Sequence, residues 1–266
     1  MIRGAPLPRQ TLGDIRLVIF DLDGTLIDSK QDLVASVNAM RQAMGLGLLP
    51  EEVIASYVGR GVATLIRRAL ANGAPDEVGD ETVSRATQFF LDYYWIHKLD
   101  HTVAYSGVAE ALDHLAGRKL AVLTNKPVVF SRAILADLGL APHFCFIYGG
   151  NSFAAKKPDP AGVIRLMADT GSTPAQTMIV GDSDTDVLTG RNAGVWTCGV
   201  NYGLAPQTLE SSPPDVIIDD LRELPRLLDG QSGAGGRRRS KAGGAVEPKA
   251  RGNRSGKAPI KRQGQP

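Results

Sequence analysis

This chain has little that would support cross-linking, membrane insertion or a nucleotide-cradling loop. Two cysteines, Cys145 and Cys198, are the whole supply in 266 residues, too few for a disulfide framework. Both sit in apolar, strand-like runs, FCFIY and VWTCGV. They read as buried free thiols, and a reducing, cytoplasmic setting is expected. No apolar run nears the roughly 20 residues that cross a bilayer. The opening MIRGAPLPRQTLGD holds no apolar stretch of signal-peptide length. The four histidines, His97, His101, His114 and His143, show no metal-ligand spacing, so surface or structural roles are expected. No Gly-rich loop ends in Gly-Lys-Ser/Thr, which leaves nucleotide hydrolysis by that route unsupported.

What is present suits a soluble protein with a sizeable core: 43% hydrophobic and 22% charged residues, enough chain for one large domain or two ordinary ones. The net charge of +2 hides a strong asymmetry. Residues 230–266 carry ten Lys or Arg and one Glu, a net of +9, which leaves 20 basic and 27 acidic residues, a net of −7, in 1–229. The tail is rich in Gly, Pro and Ser and poor in large apolar side chains, so burial cannot offset its ordering entropy and it is expected to be disordered. It has no aromatic residue for base stacking. Specific nucleic-acid binding is therefore not expected, although weak contact with polyanions or acidic surfaces remains a non-enzymatic alternative.

Short apolar runs alternate with helical patterns. Strands are expected at Leu17–Phe20, Lys119–Thr124, Phe144–Tyr148, Thr177–Val180, Val195–Val200 and Val216–Ile218. Such alternation predicts an α/β fold, a Rossmann-like, doubly wound parallel sheet covered by helices on both faces. One interval breaks the pattern: 29–103 shows helical periodicity and no convincing strand. Ser29 with Asp32 reads as a helix cap, followed by Leu33, Val37, Met40 and Met44 at helical spacing. A crossover needs only a dozen or so residues, so this interval reads as an inserted helical domain. The division is then 1–28 with 104–229 for the sheet domain, 29–103 for the insertion and 230–266 for the tail. Within the insertion, Phe89, Phe90, Tyr93, Tyr94 and Trp95 are expected to form its core.

Ligands of open α/β sheets bind beyond the carboxyl ends of the strands. The first strand ends in DLDGT, with Asp21 and Asp23; the second in LTNKP, with Thr124, Asn125 and Lys126. KKPDP, with Lys156 and Lys157, follows the third, and GDSDTD, with Asp182, Ser183, Asp184 and Asp186, ends the fourth. Taken singly, each has a bland reading as a turn or a helix cap. A calcium-hand loop needs Gly sixth and Glu twelfth, where this chain has Leu26 and Asp32. Their joint appearance, in this order, is what points to chemistry. Two residues apart on extended chain, Asp21 and Asp23 project to one side.

In that order the four segments resemble the motifs of the haloacid-dehalogenase-like phosphatase superfamily, in the branch with a helical cap after the first motif. YVGRGVATLIRRAL, YSGVAEALDHL, NYG and PPDVIIDDLREL are similar to segments of its phosphoglycolate phosphatases, and the likeness covers residues 15–228. The resemblance implies a Mg²⁺-dependent phosphate monoester hydrolase, acting on 2-phosphoglycolate, a small phosphorylated carboxylic acid. It implies Asp21 as the nucleophile that forms an aspartyl phosphate and Asp23 as general acid–base. Asp21, Asp182 and the Asp23 carbonyl would be Mg²⁺ ligands, with Asp186 behind them. Lys157, which directly precedes Pro158, would screen the phosphoryl group, and Thr124 and Asn125 would bind its oxygens. In the cap, Arg60 between Gly59 and Gly61 is the expected partner of the substrate carboxylate, since its planar fork suits one. Another capped phosphatase, a phosphosugar mutase or a pyrophosphatase would share the same core residues. A dehalogenase has no use for Asp23, and no cap lysine is placed for a phosphonatase. Oligomeric state is left open. If the tail is not the functional part, a chain lacking residues 231–266 will hydrolyse phosphate esters at an unchanged rate; a release assay on the truncated protein checks this.

Overall fold

A computed structural model describes residues 12–71 and 78–230. From residue 231 on, the expected disordered tail lies outside the described residues. Six parallel strands form one sheet: β1 (Leu17–Phe20), β4 (Lys119–Leu123), β5 (Phe146–Tyr148), β6 (Thr177–Gly181), β7 (Trp196–Val200) and β8 (Val216–Ile218). Each coincides with an apolar run of the sequence to within two residues at either end. The order is β5-β4-β1-β6-β7-β8, which puts β1 between β4 and β6, Leu17 opposite both Lys119 and Thr177.

The reason β1 reads as an unbroken apolar run is visible in its packing. All four of its residues are buried. Val18 and Phe20 face the larger core layer, Leu17 and Ile19 the smaller one, where they meet Ala121, Val163, Leu166 and Ile179. Alternation along the strand thus supplies two layers at once, and burying each large side chain contributes roughly 1.5–3 kcal/mol. Helices α5 (Val108–His114), α6 (Val128–Asp137), α7 (Ala161–Thr170), α8 (Asp184–Ala193) and α9 (Glu223–Leu228) surround the sheet. Cys198 is buried, as expected, but Cys145 is exposed. It precedes β5, which among the described residues is an edge strand with one neighbour.

Between β1 and β4 the chain makes a short antiparallel pair that periodicity did not reveal, β2 (Ile27–Asp28) with β3 (Val103–Ala104). Two residues are too few to leave a pattern. The pair closes the base of four helices: α1 (Lys30–Ala43), α2 (Glu51–Ala55), α3 (Val62–Ala71) and α4 (Asp80–His97). On α1, Leu33, Val37 and Met40 are buried, as their spacing requires. The aromatic run of α4 divides: Phe90 and Tyr94 are buried, whereas Phe89 and Trp95 are 36% and 44% exposed. Five residues nearly consecutive on a helix cannot share one face.

The expected cap of α1 does not form. Ser29 is the N-cap residue but makes no capping hydrogen bond; its hydroxyl donates to Asp23 Oδ1 at 2.6 Å. Asp32 is likewise diverted. Its buried carboxylate accepts from the backbone N–H groups of His101 and Thr102 and from the Thr102 hydroxyl, with His101 Nδ1 at 2.9 Å. One carboxylate thereby ties the start of the insertion to its end. Burial works against its charge, but the bonds from Thr102 and His101 outweigh it and hold its pKa below the ordinary Asp value. A group whose pKa is lowered by folding stabilises the fold above its unfolded pKa of about 3.9 and loses that contribution as pH falls through the folded value. Asp32→Ala leaves two backbone donors unpaired and will cost about 2 kcal/mol at pH 7. The gap from wild type in urea unfolding will narrow as pH drops below about 4.

Candidate active site

Strand order reverses at β1: β4 lies on one side and β6 on the other, so a crevice opens beyond its carboxyl end. Asp21 is the first residue past β1, its N–H donating to Val180 O at 2.9 Å. The chain then turns sharply through Gly24, at φ +83°, where a Cβ would stand 2.3 Å from Asp182 Oδ2. Only glycine tolerates both that φ and that approach. Asp182 follows β6, and Ser183 caps α8 in a reciprocal capping box with Asp186. GDSDTD is therefore a helix cap and part of the site at once. Lys157 arrives from the segment between β5 and α7.

These segments converge. Lys157 Nζ lies 2.8 Å from Asp21 Oδ1 and 2.6 Å from Asp186 Oδ1, and Asp21, Asp182 and Asp186 offer carboxylate oxygens within 4.8 Å of one another. One ammonium cannot balance three buried carboxylates. Burial, then Asp186 and Asp21, push Asp182 up to about 8 against the backbone N–H groups of Ala205 and Leu204. Asp21 is also raised, chiefly by burial, although Lys157 pulls it down. For Lys157 itself burial favours the neutral form, and Asp186 and Asp21 outweigh it, so the amine stays charged. An all-oxygen cluster with surplus negative charge suits a hard divalent cation. Asp186 spends one oxygen on Lys157 and the other on Ser183. Asp182 spends Oδ2 on Leu204 and Ala205, and among the described residues no donor reaches its Oδ1.

The second acid of the first motif has partners that sequence reasoning missed. Asp23 accepts from Lys126 Nζ at 2.8 Å and from Ser29. Lys126 is buried, with Nζ 4.7 Å from the centre of the Tyr94 ring. Its place after the second strand was visible, but its partner lies 103 positions away. Thr124 Oγ1 accepts weakly from the Lys126 N–H at 3.3 Å, and no acceptor among the described residues takes its own O–H. Asn125 behaves differently from expectation: its amide donates to Gly59 O and Lys157 O and accepts from Lys157 N. The side chain is thus occupied in holding the Lys157 backbone and the Gly59–Gly61 loop together. Lys156 is exposed, its Nζ lying over Gly61. Arg60 is also exposed.

Between the sheet and the helices lies a cavity of about 40 Å³. Its floor carries Asp21, Asp23, Thr124, Asn125 and Lys126; Leu33, Val58, Val62, Leu65, Phe90 and Phe130 make its walls. Gly59 and Gly61 line it, and Arg60 between them does not. The volume is room for roughly three water molecules, a snug space with polar chemistry at one end only.

A family model described as haloacid dehalogenase-like hydrolase matches residues 18–200. Phosphoglycolate phosphatase of Pseudomonas putida is 41% identical over 79% of this chain and 78% of its own length. That of Psychrobacter arcticus is 40% identical over 79% of this chain and 94% of its own. A crystal structure of a predicted phosphoglycolate phosphatase from Haemophilus somnus 129pt, 32% identical, superposes with a TM-score of 0.75 over 79% of this chain and 96% of that one.

If the acid cluster holds a divalent cation, millimolar Mg²⁺ will raise the melting temperature. Saturation at 100 times Kd would be worth about 2.7 kcal/mol. Asp182→Asn removes a buried carboxylate from a repulsive cluster. Its melting temperature in chelator will match or exceed that of the wild type, and Mg²⁺ will not raise it further; thermal scans with and without Mg²⁺ read both effects.

Proposed function

Because this chain belongs to the haloacid dehalogenase-like hydrolase family, we propose that it hydrolyses 2-phosphoglycolate to glycolate and phosphate through an aspartyl phosphate. The observation that carries the reading is the buried meeting of Asp21, Asp182 and Asp186 around Lys157, with Asp23 beside it, beneath the helices of the insertion. That this chain's relatives are phosphoglycolate phosphatases supports the substrate. Residues 29–103 act as a cap on a core formed by 1–28 and 104–229.

Each residue takes a role that its surroundings favour. An Asp21 oxygen attacks phosphorus, and the bond from phosphorus to the glycolate oxygen breaks as Asp23 delivers a proton to that oxygen. Asp23 then takes a proton from the water that attacks the aspartyl phosphate, so phosphate leaves and Asp21 is restored. Lys157 offsets negative charge on the phosphoryl oxygens. The Thr124 hydroxyl and the Asn125 backbone N–H, which no described hydrogen bond uses, donate to them. The Asn125 amide instead positions Lys157. Asp21, Asp182 and the Asp23 carbonyl would hold Mg²⁺, which when bound would offset phosphate charge. Asp186 fixes Lys157 from behind.

The narrow, largely apolar cavity favours a two-carbon leaving group over sugar phosphates, which would have to displace the Gly59–Gly61 loop. A phosphate-release screen across small phosphoesters with Mg²⁺ tests the reading. 2-Phosphoglycolate should be turned over at the highest kcat/KM, Asp21→Asn should lose on the order of 10⁴-fold or more, and chelator should abolish turnover. Sugar phosphates hydrolysed equally well would refute the substrate and keep the reaction class. Full turnover in Asp21→Asn would refute the mechanism.

A further inference from the structure

Every charged group on the cavity wall, Asp21, Asp23 and Lys126, comes from the sheet domain, and Lys126 is the one cation among the lining residues. Its ammonium has three N–H donors; one goes to Asp23 and the Tyr94 hydroxyl lies beside it, so among the described residues at least one donor is left over. Facing it is Tyr94, which lines the same cavity and whose buried hydroxyl, among the described residues, has only the Lys126 ammonium beside it and no acceptor for its own proton. A buried donor left without an acceptor is unusual and asks for a ligand. Burial raises this hydroxyl to about 12 despite the pull of Lys126, so it remains an O–H donor. The site thus presents spare N–H and O–H donors side by side, next to Asp23, in walls that are otherwise apolar.

An anion entering the cavity has one favourable place, against these donors. In 2-phosphoglycolate a single methylene separates the ester oxygen from the carboxylate. With the ester oxygen at Asp23, the carboxylate falls beside Lys126, 2.8 Å from Asp23. We propose that Lys126 and the Tyr94 hydroxyl together bind the substrate carboxylate and determine specificity for it. This rests on the substrate reading above and deepens it. The task that the sequence suggests for Arg60 passes to a lysine of the second motif, and Arg60 lies outside the wall. Low local dielectric strengthens such a charged contact. A site built around buried donors also rejects a substrate that leaves them unpaired.

The test compares 2-phosphoglycolate with ethyl phosphate, which keeps the two-carbon chain and lacks the carboxylate. Wild type should favour the former in kcat/KM by roughly 100-fold or more, the scale of a charged hydrogen bond in a buried site. Lys126→Met should cut that preference at least about 30-fold, chiefly by raising KM for 2-phosphoglycolate, and Lys126→Arg should restore part of it. If both substrates lose equally and the preference stands, Lys126 serves Asp23 alone and the proposal is overturned. Tyr94→Phe guards against misfolding of the lysine variant, because deleting a buried hydroxyl that lacks an acceptor should not destabilise the fold. It should reduce the preference about 5-fold, and an unchanged preference would remove Tyr94 from the pair. A wild-type preference near one would overturn the substrate reading itself, and the carboxylate site with it. A strong wild-type preference that survives Lys126→Met overturns the site only.

Discussion

Three carboxylates held within 4.8 Å of one another in a buried crevice repel one another and lose hydration together. Most of what is distinctive near the carboxyl ends of the strands serves to keep them there. Lys157 is wedged between Asp21 and Asp186, two backbone N–H groups hold Asp182, and the first turn of α8 holds Asp186 through its capping box. Gly24 lets the chain double back against Asp182 without a side chain in the way. The cluster remains short of positive charge, and that deficit is what a divalent cation and a lysine are suited to offset around a phosphate.

Asn125 links this cluster to the insertion. Through one amide it holds the Lys157 backbone on one side and Gly59 O on the other. Positioning the charged lysine and closing the loop above the cavity are therefore one hydrogen-bonded event. At the far end, Asp32 ties the start of α1 to the turn that leads out of α4. A buried acid thus closes the stem of the insertion, and an amide holds its Gly59 loop to the strand ends. Such an arrangement can shield the crevice from water while keeping the cavity small.

Two side chains that a sequence pattern would assign to helix capping, Ser29 and Asp32, are used elsewhere, for Asp23 and for the stem. Capping boxes are local and worth about 1 kcal/mol, so a stronger tertiary demand displaces them easily. Ser183 and Asp186 show the opposite outcome, because there the cap and the site need the same geometry. The aromatic run of α4 likewise split, with Phe90 and Tyr94 turned to the cavity and Phe89 and Trp95 to solvent.

Read alone, the sequence determined the parallel sheet, the position of the helical insertion and which segments would stand at the strand ends. Those follow from periodicity and from where apolar runs stop, both local properties of the chain. Asp21, Asp23, Asp182 and Lys157 could be singled out because four segments stand in a fixed order at the strand ends, and the structure brings Asp21, Asp182 and Lys157 together in one cluster. Only the tertiary structure decided that Lys126 pairs with Asp23 beneath Tyr94, that the Asn125 amide is occupied, and that Arg60 is exposed. Each of those depends on where side chains distant in the chain meet, and no local pattern encodes that meeting.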